Sequence, residues 1–128
     1  MKMVRALLVL AAASAAGGVQ AQGRWDTVGS RSVGWSADRD VIPVRGNDRY
    51  RQIRLCAFGG PVHMIDLDVR FANGGHQDVA VRSLLRAGSC TRNIDLNGRD
   101  RNISSISVVY ERSRIRWRRN PVVRVQAR

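Results

Sequence analysis

The stretch Ile65-Asp66-Leu67-Asp68-Val69-Arg70-Phe71 alternates without a break, apolar at every odd position and charged at every even one. Successive side chains of a β-strand point to opposite faces, so such a run makes a strand with one dry face and one wet face. Asn73-Gly74-Gly75, residues that tolerate positive φ, mark its end, and the alternation resumes with Val79 and Val81. A β-hairpin is the expectation.

The same two-residue rhythm recurs at Ile53 and Leu55, at Ile94 and Leu96, at Ile106, Val108 and Tyr110, and at Val123 and Val125. Together with Ile65, Leu67, Val69, Phe71, Val79 and Val81 these positions are the expected core. Asn97-Gly98 predicts a second hairpin, from the Ile94 strand to one that carries Ile103. Ile103 is out of phase with Ile106, and a β-bulge at Ser104-Ser105 would reconcile them. Near the start, Trp25, Val28, Val33 and Trp35 suggest one or two short strands. Val41, Ile42 and Val44 around Pro43 suggest an edge strand, because proline has no N–H to give a ladder. Val123, Val125 and Ala127 read as a closing strand with Arg124 and Gln126 facing water. The fold class expected is all-β, an antiparallel two-sheet β-sandwich of about seven to nine short strands.

Residues 1–21 follow the export pattern, with Lys2 and Arg5 as the charged start, an apolar run from Ala6 to Ala16, and Val19-Gln20-Ala21 as a small-residue cleavage site. The apolar run is about half of the roughly 20 residues that span a bilayer. The expectation is a removed signal peptide and a single domain over residues 22–128, periplasmic or secreted and not an integral membrane protein. In such a compartment Cys56 and Cys90 are free to form a disulfide. Closing that loop would contribute up to about 4 kcal/mol. The side-chain phases of the nearest strands point the two cysteines to opposite faces, which leaves free thiols as the alternative.

The chain carries 22 Lys and Arg against 10 Asp and Glu, a formal charge of +12. Lys2 is the only lysine and lies in the leader, so the remaining excess is arginine. Guanidinium groups grip phosphate and carboxylate in bidentate fashion, whereas a GC-rich genome would also encode arginine in place of lysine. In the most distinctive segment, an extended chain sets Arg112, Arg114, Arg116 and Arg118 on one face and Ile115 and Trp117 on the other. With Arg119, these arginines and Trp117 are the candidate site for an anionic ligand. The plainer reading is a solvated edge whose charges discourage strand pairing. Nucleic acid would suit the same chemistry but is scarce outside the cytoplasm. An anionic envelope lipid or polysaccharide is therefore the better partner. The alternative is a protein-interaction or inhibitor module that docks a periplasmic protein on a sheet face or strand edge.

For catalysis the inventory is thin. His63 and His76 flank one strand without HExxH-type spacing, and no phosphate loop, dinucleotide fingerprint or GxSxG elbow is present. Asp66 and Asp68 share one side of their strand, and Asp38, Asp40 and Asp100 are the other acids a metal could draw on. Salt bridges to neighbouring arginines are the simpler fate for these carboxylates. The expectation is a non-enzymatic protein without cofactor or metal, a site built on His63, His76, Asp66 and Asp68 being the exception to test.

Four features carry a resemblance: Ile53-Arg54-Leu55, the strand Ile65 to Phe71, the block Thr91-Arg92-Asn93-Ile94-Asp95-Leu96-Asn97-Gly98, and Ile103 followed by a strand ending at Tyr110. In these the chain resembles the YaaI-like family of small secreted bacterial proteins, a domain of unknown function. The resemblance implies export and a β-rich fold, and it supplies no catalytic residues.

Overall fold

The computed structural model describes residues 23–34, 38–111 and 120–128. Within them lie eight strands: β1 (Asp26–Ser32), β2 (Arg39–Pro43), β3 (Gln52–Phe58), β4 (Val62–Phe71), β5 (His76–Leu85), β6 (Ile94–Asp95), β7 (Ile103–Tyr110) and β8 (Val122–Ala127). They form two antiparallel four-stranded sheets, the first in the order β1-β8-β3-β6 and the second in the order β2-β7-β4-β5. The all-β, two-sheet sandwich expected from the alternation is the fold.

Each strand turns its apolar set inward. Ile53 and Leu55 of β3 and Val123 and Val125 of β8 meet Ile42 of β2, Val69 of β4 and Ile106 and Val108 of β7, all of them fully buried. Burying each such side chain contributes about 1.5–3 kcal/mol relative to leaving it in water. Every expected core position is buried except Ile65, which is half-buried. The reason is a bulge. The register of β4 shifts between Met64 and Asp66 against both β5 and β7, so Ile65 and Asp66 lean outward in succession. Val62 and Met64 take the inward positions before the shift. On β5 the matching extra residue is Arg82, with φ at +44°.

The β4–β5 hairpin turns through Asn73-Gly74-Gly75 as the residue types predict. Gly74 sits at φ +94°, and Asn73 Oδ1 accepts the Gly75 N–H at 3.0 Å. The bulge expected at Ser104-Ser105 is also present, since Phe71 pairs with Ile103 and Arg70 with Ser105, leaving Ser104 between them. β2 with Pro43 lies at the edge of its sheet.

Asn97-Gly98 does not make the second hairpin. β6 belongs to the first sheet and β7 to the second, so the turn carries the chain across the sandwich. Gly98, at φ +85°, occupies the third position of a turn closed by the Arg99 N–H on the Leu96 carbonyl at 3.3 Å. A type II turn takes glycine there, whereas the strand-matching hairpin turn would need positive φ at Asn97 as well. Arg99 follows in the left-handed region at φ +69°. Among the described strands, β4 and β5 are the only consecutive pair that hydrogen-bond to each other.

Cys56 and Cys90 are joined in a disulfide. Cys90 lies outside β6, in an isolated bridge with Cys56. Residues 91–93 carry no ladder, so the phase of Ile94 is not transmitted back to Cys90. The pairing is framed by Ala57 N–H on the Ser89 carbonyl at 2.9 Å and Thr91 N–H on the Leu55 carbonyl at 2.8 Å.

Candidate functional site

The outer face of the first sheet is built by register. Arg54 stands beside Gln126, and Cys56 beside Arg124, so the even positions of β3 and β8 share the wet side. Arg54 Nε donates to Gln126 Oε1 at 2.8 Å. The guanidinium groups of Arg54 and Arg128 both lie on the Trp25 ring, 4.5 and 4.2 Å from its centre. Arg124 lies 4.3 Å from the centre of Phe58. Amide oxygens and aromatic rings thus hold these arginines. Among the described residues none of the three makes an ion pair with a carboxylate side chain.

At the β6 edge of this face is a hollow of about 790 Å³ lined by Gly23, Arg51, Gln52, Asp95, Leu96, Arg99 and Arg128. Asp95, the one carboxylate side chain in its lining, accepts Gln52 Nε2 at 2.6 Å. Arg51 reaches Asp100 at 3.1 Å, and Arg128 Nε donates to Gln52 Oε1 at 2.9 Å. Arg99 is brought to the hollow by the turn that follows β6, and its guanidinium has no carboxylate partner among the described residues. Three arginines thus line this concave surface, and guanidinium groups are donor forks that phosphate and carboxylate accept in pairs.

The outer face of the second sheet has a different character. Asp66, Asp68 and Arg70 of β4 and His76, Asp78 and Ala80 of β5 line an open depression of about 770 Å³, with Arg39, Ser107 and Val109 beside them. Asp68 pairs directly with Asp78. Asp68 Oδ1 lies 2.9 Å from His76 Nδ1, and Asp68 Oδ2 accepts Arg70 Nε at 2.9 Å. Burial alone would raise the Asp68 carboxyl, yet hydrogen bonds from His76, Asp78 and Arg70 outweigh it and hold it below the usual range. Its hydrogen bond to Asp68, and then the Asp68 charge, push Asp78 up.

The residues singled out in sequence divide among these places. Arg112, Arg114, Arg116, Trp117, Arg118 and Arg119 lie outside the described residues. Asp66 and Asp68 do share one face, and His76 joins Asp68. His63 does not; it pairs with Glu111. Asp40 goes to Arg31 at 3.3 Å and Asp100 to Arg51. Among the described residues, Asp68, His76 and Asp78 are the group close enough to share a metal ion.

A family model for a domain of unknown function, DUF2541, matches residues 3–127. The chain belongs to the DUF2541 family. That bears out a family without assigned function, while the narrower YaaI-like naming is not part of the match. No curated protein matches this DUF2541 chain. A solved structure of AlgX from Pseudomonas aeruginosa is similar at 15% identity and a TM-score of 0.46, over 83% of this chain and 28% of that one. The chain therefore spans well under half of AlgX, and so low a score supports no conclusion about role. Among the described residues no helix is long and apolar enough to cross a membrane.

Proposed function

We propose that this DUF2541 protein is an exported, non-enzymatic β-sandwich that holds anionic groups of the bacterial envelope in the Arg51–Arg99–Arg128 hollow. The groups would be phosphate or carboxylate on envelope lipid or polysaccharide. The observation that carries the reading is that three arginines line one hollow, with Arg99 in no ion pair to a carboxylate among the described residues. Arg54 and Trp25 extend the same basic face next to Arg128. Export is supported by the leader-like residues 1–21 and by the Cys56–Cys90 disulfide. The YaaI-like resemblance points the same way. The Arg112–Arg119 run adds charge that would strengthen attraction to the same partner.

The test is co-sedimentation of the purified protein with phosphatidylglycerol vesicles and, separately, with lipopolysaccharide. Binding should fall steeply as salt rises from about 50 to 500 mM. Arg99→Ser with Arg128→Ser should weaken it more than Arg114→Ala with Arg116→Ala. Binding that ignores salt, or none at all, contradicts the reading. Retention of a periplasmic protein at high salt would favour the docking module instead.

A further inference from the structure

Carboxylates directly opposite each other on neighbouring strands repel. The described ladders hold one such pair, Asp68 on β4 and Asp78 on β5. Asp68 is held by Arg70 and His76. Asp78 makes no ion pair among the described residues, and neither side chain caps a turn. The next row of the ladder brings His76 of β5 alongside, opposite Arg70, and one ligand atom from each of Asp68, His76 and Asp78 lies within 4.8 Å of the other two.

Tetrahedral bonds of about 2.1 Å set ligand atoms about 3.4 Å apart. The His76 Nδ1 to Asp68 Oδ1 distance is 2.9 Å, and the Asp78 oxygen lies within 4.8 Å of both, distances that exposed side chains can adjust toward that spacing. Arg70 occupies the other Asp68 oxygen, Oδ2, at 2.9 Å. That contact fixes the carboxylate with Oδ1 turned toward His76, the orienting role that hydrogen bonds play around metal ligands. The depression is open to solvent, which leaves room for water in the remaining coordination positions.

We infer that Asp68 Oδ1, His76 Nδ1 and one carboxylate oxygen of Asp78 form a site for a divalent first-row transition metal ion, zinc being the probe of choice. One imidazole nitrogen with two carboxylate oxygens suits such an ion better than calcium, which takes six to eight oxygen ligands. The ion replaces the repulsion between the two carboxylates with a shared attraction. The site lies on the opposite face of the sandwich from the arginine hollow and stands independently of the anion-binding proposal.

The experiment is isothermal titration of zinc into chelator-treated, tag-free protein, with calcium in a parallel cell. One zinc ion should bind per chain, more tightly than calcium, and raise the melting temperature. His76→Ala and Asp78→Asn should each weaken zinc by about tenfold or more, and His63→Ala should leave it unchanged. Asp78→Asn removes a repulsion, so it keeps the test open even if another variant folds poorly. No zinc binding, zinc affinity unaltered in Asp78→Asn, or calcium bound as tightly as zinc overturns the assignment, leaving a proton between the two carboxylates as the whole explanation.

Discussion

Asp68 and Asp78 face each other across the β4–β5 ladder, and their titrations are driven apart. Asp78 is raised, so the stability it contributes is full below the unfolded value of about 3.9 and is lost as pH rises through its folded value. Asp68 is lowered, so its contribution is present above that value and is lost as pH falls. Arg70, His76 and Asp66 face the same pair. With chelator present, Asp78→Asn should have a higher urea midpoint than the parent at pH 7, and the advantage should vanish below about pH 4. A midpoint that drops, or a gap constant across pH, would show that the pair does not govern this titration.

Gly29 belongs to β1, where a Cβ would meet the Pro43 carbonyl oxygen of β2 at 2.5 Å and Ile42 Cγ2 at 3.0 Å. The obstacle is backbone and cannot swing aside. Close by, the Arg45 N–H donates to the Val28 carbonyl at 2.9 Å, tying the edges of the two sheets together. Gly29→Ala should therefore destabilise by about 1–3 kcal/mol in urea unfolding. An unchanged midpoint would mean that the two edges do not approach so closely.

The Tyr110 hydroxyl is buried and has no hydrogen-bond partner among the described residues, and burial, with the Asp40 charge behind it, pushes the phenol above its usual range. Removing an unsatisfied buried group should relieve its desolvation. Tyr110→Phe should be neutral or more stable by up to about 1 kcal/mol. A clear loss of stability would reveal a partner for the hydroxyl.

Cys56→Ser with Cys90→Ser opens a loop of sequence separation 34. The unfolded chain then gains freedom, and stability should fall by about 2–4 kcal/mol. Dithiothreitol should shift the parent's urea midpoint similarly and leave the double variant where it is. Equal midpoints for parent and variant would remove the disulfide from the account of stability.

These sites show where local reading ends. Alternation made β4, β5, β7 and β8 legible, because a half-buried strand must repeat every two residues whatever its neighbours are. It failed at Ile65, where a bulge against two partner strands breaks the phase, and at Asn97-Gly98, where the residues of a hairpin turn serve a crossing between sheets. The Cys56–Cys90 bond was half legible. The expected compartment favoured it, but phase was carried through residues 91–93, which have no ladder to carry it. Asp78 was missed beside Asp68 because the partner across a strand depends on register, and here the register is set by how the Asn73-Gly74-Gly75 turn closes. The hollow was hidden for a plainer reason: Arg51, Arg99 and Arg128 are far apart in the chain, and only the closure of β3, β6 and β8 into one sheet brings them together. The one signal available was Gly98 ahead of Arg99, which marks a turn but not what the turn presents.

The central claim is that anionic ligands are held by the arginine hollow at the edge of the first sheet. Backbone and Arg Nε NMR resonances followed during titration with lipopolysaccharide at low salt test it most directly. The account predicts shifts concentrated at Arg51, Gln52, Arg99, Arg128 and Trp25 that reverse on adding salt. Shifts spread evenly over the arginines of both sheets, or confined to the Asp68–His76 face, would contradict it.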